Sequence, residues 1–371
     1  MTKIRELRAT AVRIPLRVTT SFSTRAVRHR DYLLVELVGE DGSSGIGYAY
    51  AGTAGGLWLR HCVDELIAPL LAGRDADEFS ANWDTVYRDL LLLGRRGAVL
   101  RALSAVDVAA WDRAARAAGE PLWRYLDGSR AEIPAYASGG YYREGDPVEN
   151  VAAEVERYRA RGFRDYKMKV GGLPLEQDVA RVEAARRALE PGARLALDAN
   201  NAWVSVDEAL AAAEGFAPFE IWWLEEPFLP DDVLGHAELA RRSPIPIATG
   251  EIEATRWAFE DIVRQKAAAI LQADAGVCGG VTEWLAIARA AAAAGVPVAP
   301  HWHANLHAQL ASAADNCICI EYFAPEEDIY NFEALVTQPL VVEDGLARLS
   351  EAPGLGFDLD PDAVARYRME G

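Results

Sequence analysis

The feature that most constrains the fold of this chain is a regular alternation of short apolar segments with amphipathic stretches after about residue 130. Strands that alternate with helices run parallel through right-handed crossovers, and eight of them close most simply into a barrel of roughly 200 residues or more. The predicted fold class is therefore α/β, with a (β/α)7β-type TIM-like barrel as residues 131–330. The eight strand-like segments are residues 133–138, 165–170, 194–199, 221–225, 245–250, 269–273, 296–300 and 317–322, and the clearest helical stretches are 175–189, 206–215, 233–242 and 281–294.

The N-terminal third of the chain has a different hydrophobic pattern. Alternating strand-like segments come first, and helical periodicity follows, which predicts an α+β domain over residues 1–130 that caps the barrel. Residues 331–371 are too short for a domain, and we expect them to complete the capping domain. The strand-like segments are residues 4–14, 31–38 and 45–49, and the helical stretches are 58–71, 80–92 and 99–118.

Composition and charge limit the class of partner. The 371 residues are 51% hydrophobic and 25% charged, which is typical of an ordinary globular protein. A formal charge of −18 repels nucleic acid and anionic membrane, so we expect neither as a partner and a small-molecule carboxylate as the ligand. The chain starts without the apolar core of a secretion signal, and its four cysteines have no disulfide or metal-site spacing. These features predict reduced thiols and a cytoplasmic location.

Ionisable residues recur at the carboxyl ends of the predicted barrel strands, at intervals of about 20 to 30 residues. A single Asp or Glu after a strand is most often a helix cap. The whole set does not fit capping, because it contains Glu and Lys residues where burial is costly. Alternation places Lys167 with Lys169 and Asp198 with Asn200 on common faces. In chain order the set is Lys167, Lys169, Asp198, Asn200, Glu225, Glu226, Glu251, Asp274, His301 and Glu321.

Three carboxylates of this set, Asp198, Glu225 and Glu251, come from neighbouring strands and form an all-oxygen group suited to a hard cation. We predict one Mg²⁺ per active site, with Mn²⁺ as an alternative. Lys169 and His301 then flank the metal as two proton-transfer groups, and the cation together with the second lysine should lower the pKa of Lys169 as a general base requires.

These residues resemble the mandelate racemase group of the enolase superfamily, the mandelate racemase/muconate lactonizing enzyme family, over nearly the whole chain. The resemblance to the capping-domain signature lies in the helix from Ala102 to Asp112. The barrel motifs match in order and spacing, and they are Lys-x-Lys at 167, Asp-x-Asn at 198, Glu-Glu-Pro at 225, Gly-Glu at 250, Asp274 before Gly279-Gly280, and Pro300-His301. The muconate-lactonizing branch carries a lysine where this chain has Val277, which counts against that branch.

The resemblance implies a role for each residue that matches. It implies that the metal ligands are Asp198, Glu251 and the first glutamate of Glu-Glu-Pro. It also implies that Lys169 is the base for one face of the substrate, and that the dyad of His301 and Asp274 serves the other. The remaining matches imply that Lys167 helps to bind the substrate carboxylate and that Glu321 stabilises an enediolate oxygen.

The candidate substrate-binding residues are Asn200, Arg25 and His303. Arg25 lies with Arg28 and Arg30 in a segment, residues 19–30, that we expect to be a loop between two strands. The resemblance implies that this loop lies over the barrel mouth, where an arginine would suit a distal carboxylate or the hydroxyl groups of a sugar acid. His303 and His307 lie four residues apart and also allow a zinc site, although no third nitrogen or thiolate ligand has a suitable spacing.

The sequence therefore predicts an enzyme, a lyase or isomerase, that abstracts the proton alpha to a carboxylate to form an enediolate. The leading hypothesis is a dehydratase for aldonates or aldarates, and a racemase, an epimerase or a lactone cycloisomerase would use the same residues. Two other classes stay open: a non-catalytic barrel that only binds ligands, and a zinc hydrolase, which would need a His-x-His on the first barrel strand. A homo-oligomer is also expected from the resemblance.

Overall fold

The computed structural model describes residues 2–143 and 148–371, without the side chain of residue 149, and begins with a three-stranded antiparallel sheet. Its strands are β1 (Ile4–Phe22), β2 (Arg25–Gly39) and β3 (Ser44–Tyr50). The prediction of a loop over residues 19–30 is wrong, because β1 and β2 stay paired up to Phe22 and Arg25. The polar side chains of Thr19 and Thr20 suggested a loop, but these β-branched residues favour the extended backbone that the hairpin adopts.

Helices cover one face of this sheet. The helices are α1 (Gly56–His61), α2 (Ala68–Leu71), α3 (Phe79–Asp89), α4 (Ala98–Ala118) and α5 (Leu122–Tyr125), and a π-helical segment, Cys62–Ile67, joins α1 to α2. The long helix α4 lies directly on β3 because Gly45 and Gly47 have no side chain there. A Cβ atom at Gly47 would collide with the backbone oxygen of Ala105.

Parallel strands form the barrel, as predicted. They are β4 (Glu132–Gly139), β5 (Tyr166–Lys169), β6 (Leu195–Asp198), β7 (Ile221–Glu225), β8 (Ile247–Thr249), β9 (Ile270–Leu271) and β10 (Ile320–Tyr322). The predicted seventh strand, residues 296–300, is reduced to single bridges from Val298 to Leu271 and to Cys317. β10 pairs with β4 and closes the ring.

Helices surround the barrel between these strands. The helices are α6 (Val148–Ala160), α7 (Leu175–Ala188), α8 (Val206–Phe216), α9 (Val233–Arg242), α10 (Thr255–Gln265), α11 (Ala275–Cys278), α12 (Gly280–Ala293) and α13 (Ala304–Ser312), with 3₁₀ turns at Ala217–Phe219, Pro325–Glu327 and Phe332–Leu335. None of the helices in the described part of the chain has the length and apolar character needed to cross a bilayer. The four cysteines are buried and free, and the cytoplasmic location stays a prediction.

A layer of buried side chains fills the barrel interior. It comprises Tyr136, Ala196, Trp223, Ala248, Ile270, Ala299 and Cys319, one from each strand position except that of β5. At β5 the fully buried Lys167 lies over the ring of Tyr136, with Nζ 5.6 Å from the ring centroid. Lys167 thus places a charged group within the apolar layer, directly below the polar site.

The C-terminal segment contacts both parts of the chain. A hairpin of β11 (Val341–Glu343) and β12 (Leu346–Arg348) pairs antiparallel with the start of β4, so this portion extends the barrel sheet. The rest runs to the capping domain, where α14 (Pro361–Tyr367) packs on β1. The Leu122 N–H donates to the backbone oxygen of Gly354 at 2.7 Å. Residues 331–371 therefore do not belong to the capping domain alone.

Asp112 links these segments, and its loss should destabilise the protein. Its buried carboxylate accepts hydrogen bonds from the N–H groups of Ile46 (2.7 Å) and Leu355 (2.6 Å) and from Arg116 Nε (2.7 Å). Asp112→Ala would leave these donors unpaired, and we expect a loss of about 3 kcal/mol in the free energy of unfolding. Urea denaturation tests this. The control Asp358→Ala removes only an exposed partner of Arg116 and should change stability by less than about 1 kcal/mol.

Candidate active site

A cavity of about 360 Å³ lies between the capping domain and the carboxyl ends of the barrel strands. Its size is within the range of small-molecule sites. The capping domain contributes the roof, which includes Arg25, Tyr50, Trp58 and Arg101. The barrel contributes the floor, which includes Lys169, Asn200, Glu226, Glu251, Asp274 and His301. The ends of the parallel strands and a second domain thus enclose one polar chamber.

Asp198, Glu225 and Glu251 converge at the floor. One oxygen from each carboxylate lies within 4.8 Å of the others, and all three side chains are buried. The strand register explains this, because Asp198 pairs with Glu225 across β6 and β7. Oε2 of Glu251 has no hydrogen-bond partner in the described structure. Three buried carboxylates with an unused oxygen fit a hard divalent cation, as the sequence predicts.

Two lysines neutralise part of this charge. Lys167 Nζ lies 2.6 Å from Glu225 Oε1, 2.8 Å from Glu321 Oε1 and 3.7 Å from Asp198 Oδ2. Lys169 Nζ forms an ion pair with Asp198 and, unlike Lys167, lines the cavity. Lys167 is fully enclosed, so its contacts support a role in holding the carboxylates rather than the direct contact with substrate that the resemblance implies.

The predicted lowering of the Lys169 pKa does not occur with the protein charges alone. Burial by itself lowers the pKa of Lys169, but the Asp198 carboxylate and the Tyr141 hydroxyl group oppose it, and the net direction is upward. The prediction assumed that a cation dominates the local field, whereas the ion pair with Asp198 favours the protonated amine. Lys169 can therefore act as a base only when a bound ligand offsets the negative charge of Asp198.

His301 and Asp274 form the dyad expected from the sequence. His301 Nδ1 lies 2.9 Å from Asp274 Oδ2, and Nε2 lies 3.6 Å from Glu251 Oε1. Burial raises the pKa of Asp274, but the neighbouring imidazole rings and the hydrogen bond from His301 lower it more, so this group is a carboxylate. A carboxylate only accepts, so the proton of neutral His301 is on Nδ1. Nε2 is then free to accept a proton at the cavity.

Glu321 is buried beside Lys167 and the backbone next to His301. Burial raises its pKa, but Lys167 and His301 lower it to about 2, so Glu321 is ionised. Its Oε2 accepts a hydrogen bond from the Trp302 N–H at 2.8 Å. The structure supports a positioning role for Glu321, which holds Lys167 and the backbone next to His301.

The three arginines of the hairpin have different environments. Arg25 lines the cavity and lies over Phe22, with its guanidinium carbon 5.6 Å from the ring centroid. Arg28 is exposed and lies outside the cavity lining. Arg30 is buried, donates from Nε to the oxygen of Ile329 at 2.7 Å, and stacks on Trp302. Among the candidate substrate-binding residues, Arg25 and Asn200 therefore border the cavity.

His303 does not border the cavity. Its side chain is fully buried behind Trp302 and packs edge-on against Tyr48, with ring centroids 4.9 Å apart. The prediction that it binds substrate is wrong for this reason. His307 is also buried and accepts a hydrogen bond at Nε2 from the Ala275 N–H (3.0 Å). In the described chain the group able to hold a metal is the carboxylate cluster, and it contains neither histidine.

Replacing His303 should change how stability depends on pH. Burial lowers the pKa of His303 to about 4. Between about pH 6.5 and 4 the unfolded chain therefore binds a proton that the folded chain excludes, and folding stability falls as pH falls. Relative to His303→Gln, the wild type should lose up to about 1.4 kcal/mol per pH unit in this window. Urea unfolding of both proteins at pH 7, 6 and 5 measures this difference in the pH dependence of stability. The exposed variant His61→Gln is the control, and its pH dependence should match that of the wild type.

Several cavity residues were not singled out as site residues from the sequence. Glu226 follows the ligand Glu225 with φ +43°, and both its carboxylate oxygens lack a hydrogen-bond partner. Tyr50 and Trp302 add aromatic walls. Arg101 lies on α4, one turn after Ala98, which also lines the cavity. The available signal was an isolated arginine on an otherwise apolar helical face, but its target becomes visible only when the two domains dock.

A capped barrel with this arrangement of carboxylates, lysines and a His–Asp pair is the architecture of the enolase superfamily. Residues 4–127 match the N-terminal domain model of mandelate racemase / muconate lactonizing enzyme, and residues 150–363 match the enolase C-terminal domain-like model. The chain belongs to the mandelate racemase/muconate lactonizing enzyme family. The family and the fold class predicted from the sequence are thus confirmed, as is the assignment as an enzyme of lyase or isomerase type.

Individual relatives cover nearly the whole chain. A 3,6-anhydro-alpha-L-galactonate cycloisomerase of Streptomyces coelicolor is 33% identical, over 99% of each chain. An L-talarate/galactarate dehydratase of Salmonella typhimurium is 32% identical, over 89% of this chain and 81% of that protein. The crystal structure of a racemase from Streptomyces coelicolor with bound magnesium superposes with a TM-score of 0.93 at 32% identity, covering 99% of this chain and 100% of that one. That magnesium and the three converging carboxylates support the predicted cofactor.

Proposed function

We propose that this protein removes the proton alpha to the carboxylate of a sugar acid and eliminates the β-hydroxyl group, as an acid-sugar dehydratase. The observation that carries the proposal is the position of two proton-transfer groups at the two ends of the carboxylate cluster. Lys169 contacts Asp198 at one end, and His301 Nε2 lies 3.6 Å from Glu251 at the other. Both groups line the same cavity. A substrate carbon held between them is open to proton transfer on either face.

The residues divide the chemistry between them. One of the two bases, Lys169 or His301, takes the proton from C2, and Asp274 stabilises the imidazolium if His301 acts. The partner on the other side, in its protonated form, gives a proton to the leaving β-hydroxyl group, which departs as water. The enol that results takes up a proton at C3 and becomes a 2-keto acid. Return of a proton to C2 from the second side would instead invert its configuration.

The charge that develops on the substrate carboxylate needs stabilisation in this enclosed site. A magnesium ion bound by Asp198, Glu225 and Glu251 would supply it and would take up the charge of Asp198 that otherwise favours protonated Lys169. Lys167 holds the ligand Glu225 in place from below. The enclosing roof excludes water from the reacting carbon, which strengthens these electrostatic interactions.

A panel of aldonic and aldaric acids with Mg²⁺ tests the proposal. A dehydratase forms a 2-keto acid, which reacts with semicarbazide and is detected by absorbance. We expect product with at least one acid, and loss of product when Lys169→Ala or His301→Asn replaces the wild type. The exposed variants Lys3→Ala and His61→Asn are matched controls. Absence of a keto acid across a panel that covers all C2 and C3 configurations would exclude dehydration.

A lactone cycloisomerase is the second candidate, and the similarity to a cycloisomerase over 99% of the chain favours it. The same two bases would abstract the C2 proton, but the leaving group would be a ring oxygen instead of a hydroxyl group. Incubation with aldarolactones separates the two functions, because ring opening by elimination consumes the lactone faster than spontaneous hydrolysis does. A racemase or epimerase would return the epimer at C2 without forming a keto acid.

We also propose that the chain forms a homo-oligomer through a surface next to the cavity rim. Three leucines there are largely exposed: Leu92 (94%), Leu229 (64%) and Leu234 (71%). Arg96, near Leu92 in sequence, forms an ion pair at 2.9 Å with Asp231, which lies between Leu229 and Leu234 in sequence. Exposed apolar groups of this kind often mark protein interfaces. Light scattering should give more than one chain per particle, and Leu92→Asp with Leu234→Asp should lower that number. A monomeric wild type would contradict the proposal.

A further inference from the structure

Arg101 is a cationic group in the cavity roof whose donors are largely unused. It lies in the first turn of α4, and its Nη1 donates one hydrogen bond, to the backbone oxygen of Tyr50 at 3.1 Å. A guanidinium group has five N–H donors. Among the described residues, no carboxylate oxygen lies within 4.0 Å of a guanidinium nitrogen of Arg101. Most of its donors therefore remain for a ligand.

A second arginine of the roof, Arg30, is buried and differs in this respect. Arg30 donates to the backbone oxygen of Ile329 at 2.7 Å and to the Tyr50 hydroxyl group at 3.0 Å, and it stacks on Trp302. Those contacts fix Arg30 at the domain junction, although it also lines the cavity and its Nη2 has no hydrogen-bond partner in the described structure. Arg101 makes one hydrogen bond, and desolvation lowers its pKa against the opposing effects of Asp274, Tyr50 and Glu251. The side chain of Arg101 is partly exposed to the cavity, so its remaining donors can bind a ligand anion.

Arg101 and the groups that serve the reacting end of the substrate come from different parts of the chain. The carboxylate cluster, Lys169 and His301 belong to the barrel floor, whereas Arg101 comes from the capping domain. The donors of Arg101 that remain can bind a second acidic group of a substrate whose first carboxylate lies at the floor. A planar guanidinium matches a second carboxylate through two parallel hydrogen bonds.

We propose that Arg101 binds a second, distal carboxylate, so that the substrates of this enzyme are dicarboxylic sugar acids or their lactones rather than monocarboxylic ones. This inference rests on the proposed function for the identity of the reacting end. It assigns Arg101 as the residue that selects between the two substrate classes. Arg25 lies nearer the outer end of the hairpin and is exposed, so it contributes less to this selection.

Binding measurements with matched ligands test the assignment. Each pair consists of a six-carbon aldaric acid and the aldonic acid of the same configuration, titrated calorimetrically with Mg²⁺ into Lys169→Ala protein to prevent turnover. With Arg101 present, the best aldaric acid should bind about 10- to 100-fold more tightly than its aldonic partner. Adding Arg101→Gln to the Lys169→Ala protein should remove this preference. It should lower the affinity for the aldonic acid by less than about threefold. Arg101→Lys should restore part of it, because the charge returns without the planar fork.

Other outcomes separate the inference from simpler explanations. Equal weakening of both ligands by Arg101→Gln would mean a structural role and would overturn it, as would an absence of preference with Arg101 present. Tighter binding of a 6-phosphorylated aldonic acid than of the aldaric acid would assign the distal group as a phosphate and also overturn it. Arg28→Gln, an exposed change on the hairpin, should leave both affinities unchanged. If the preference holds but no acid reacts with wild-type enzyme, the proposed function fails and the binding assignment stands.

Discussion

Replacing Glu251 by Gln is expected to lower the catalytic efficiency by about 10³-fold or more while making the metal-free protein more stable. Glu251 contributes one of the three converging carboxylates and has no ion pair with either lysine, so the change removes a metal ligand without unpairing a buried cation. Burial and repulsion from Glu226 and Asp198 raise the pKa of Glu251. A neutral amide relieves that repulsion, which is the reason for the expected gain in stability.

Thermal unfolding with and without Mg²⁺ measures both effects. Magnesium at about 100 times its Kd should stabilise the wild type by about 2.7 kcal/mol, and this shift should disappear in Glu251→Gln. In chelator, the variant should unfold at a higher temperature than the wild type. Glu260→Gln, an exposed change on the following helix, should behave as the wild type in both conditions. A variant that keeps the magnesium shift would place the metal elsewhere.

Removal of either base should have the second large effect. We expect Lys169→Ala and His301→Asn each to lower kcat by about 10²- to 10⁴-fold, because each takes away one proton-transfer group. The magnesium-dependent thermal shift should remain in both variants, which separates loss of a base from loss of the metal site. Steady-state kinetics with the best acid from the panel measures the effect. Full activity in both variants would rule out proton transfer by this pair.

Much of the site could be predicted from the sequence because of one geometric rule. The carboxyl ends of parallel barrel strands meet at one rim, so a polar residue at the end of each strand must join the same site. This rule locates Lys169, Asp198, Glu225 and Glu251 without any knowledge of tertiary contacts. Alternation along β5 also places Lys167 on the interior face with Lys169, and the structure shows both side chains buried there.

Other parts of the site depend on contacts that no local pattern contains. Arg101 reaches the cavity only because α4 docks over the barrel. The spacing of His301, His303 and His307 did not show which rings face the cavity and which face the core. The ionisation of Glu321 follows from its ion pair with Lys167, which connects two strands far apart in sequence. The long β1–β2 hairpin was missed because its polar, β-branched end has the composition of a loop.

Proton exchange at C2 tests the central claim, that two bases flank the reacting carbon, most directly. Acid sugars that are epimeric at C2 are incubated with enzyme and Mg²⁺ in heavy water, and NMR follows deuterium at C2 in the recovered acid and in the product. We expect the wild type to exchange the C2 proton for deuterium. Lys169→Ala should abolish exchange with one epimer and His301→Asn with the other. Exchange at the wild-type rate in both variants, or consumption of an acid by the wild type with the C2 proton retained, would contradict the account.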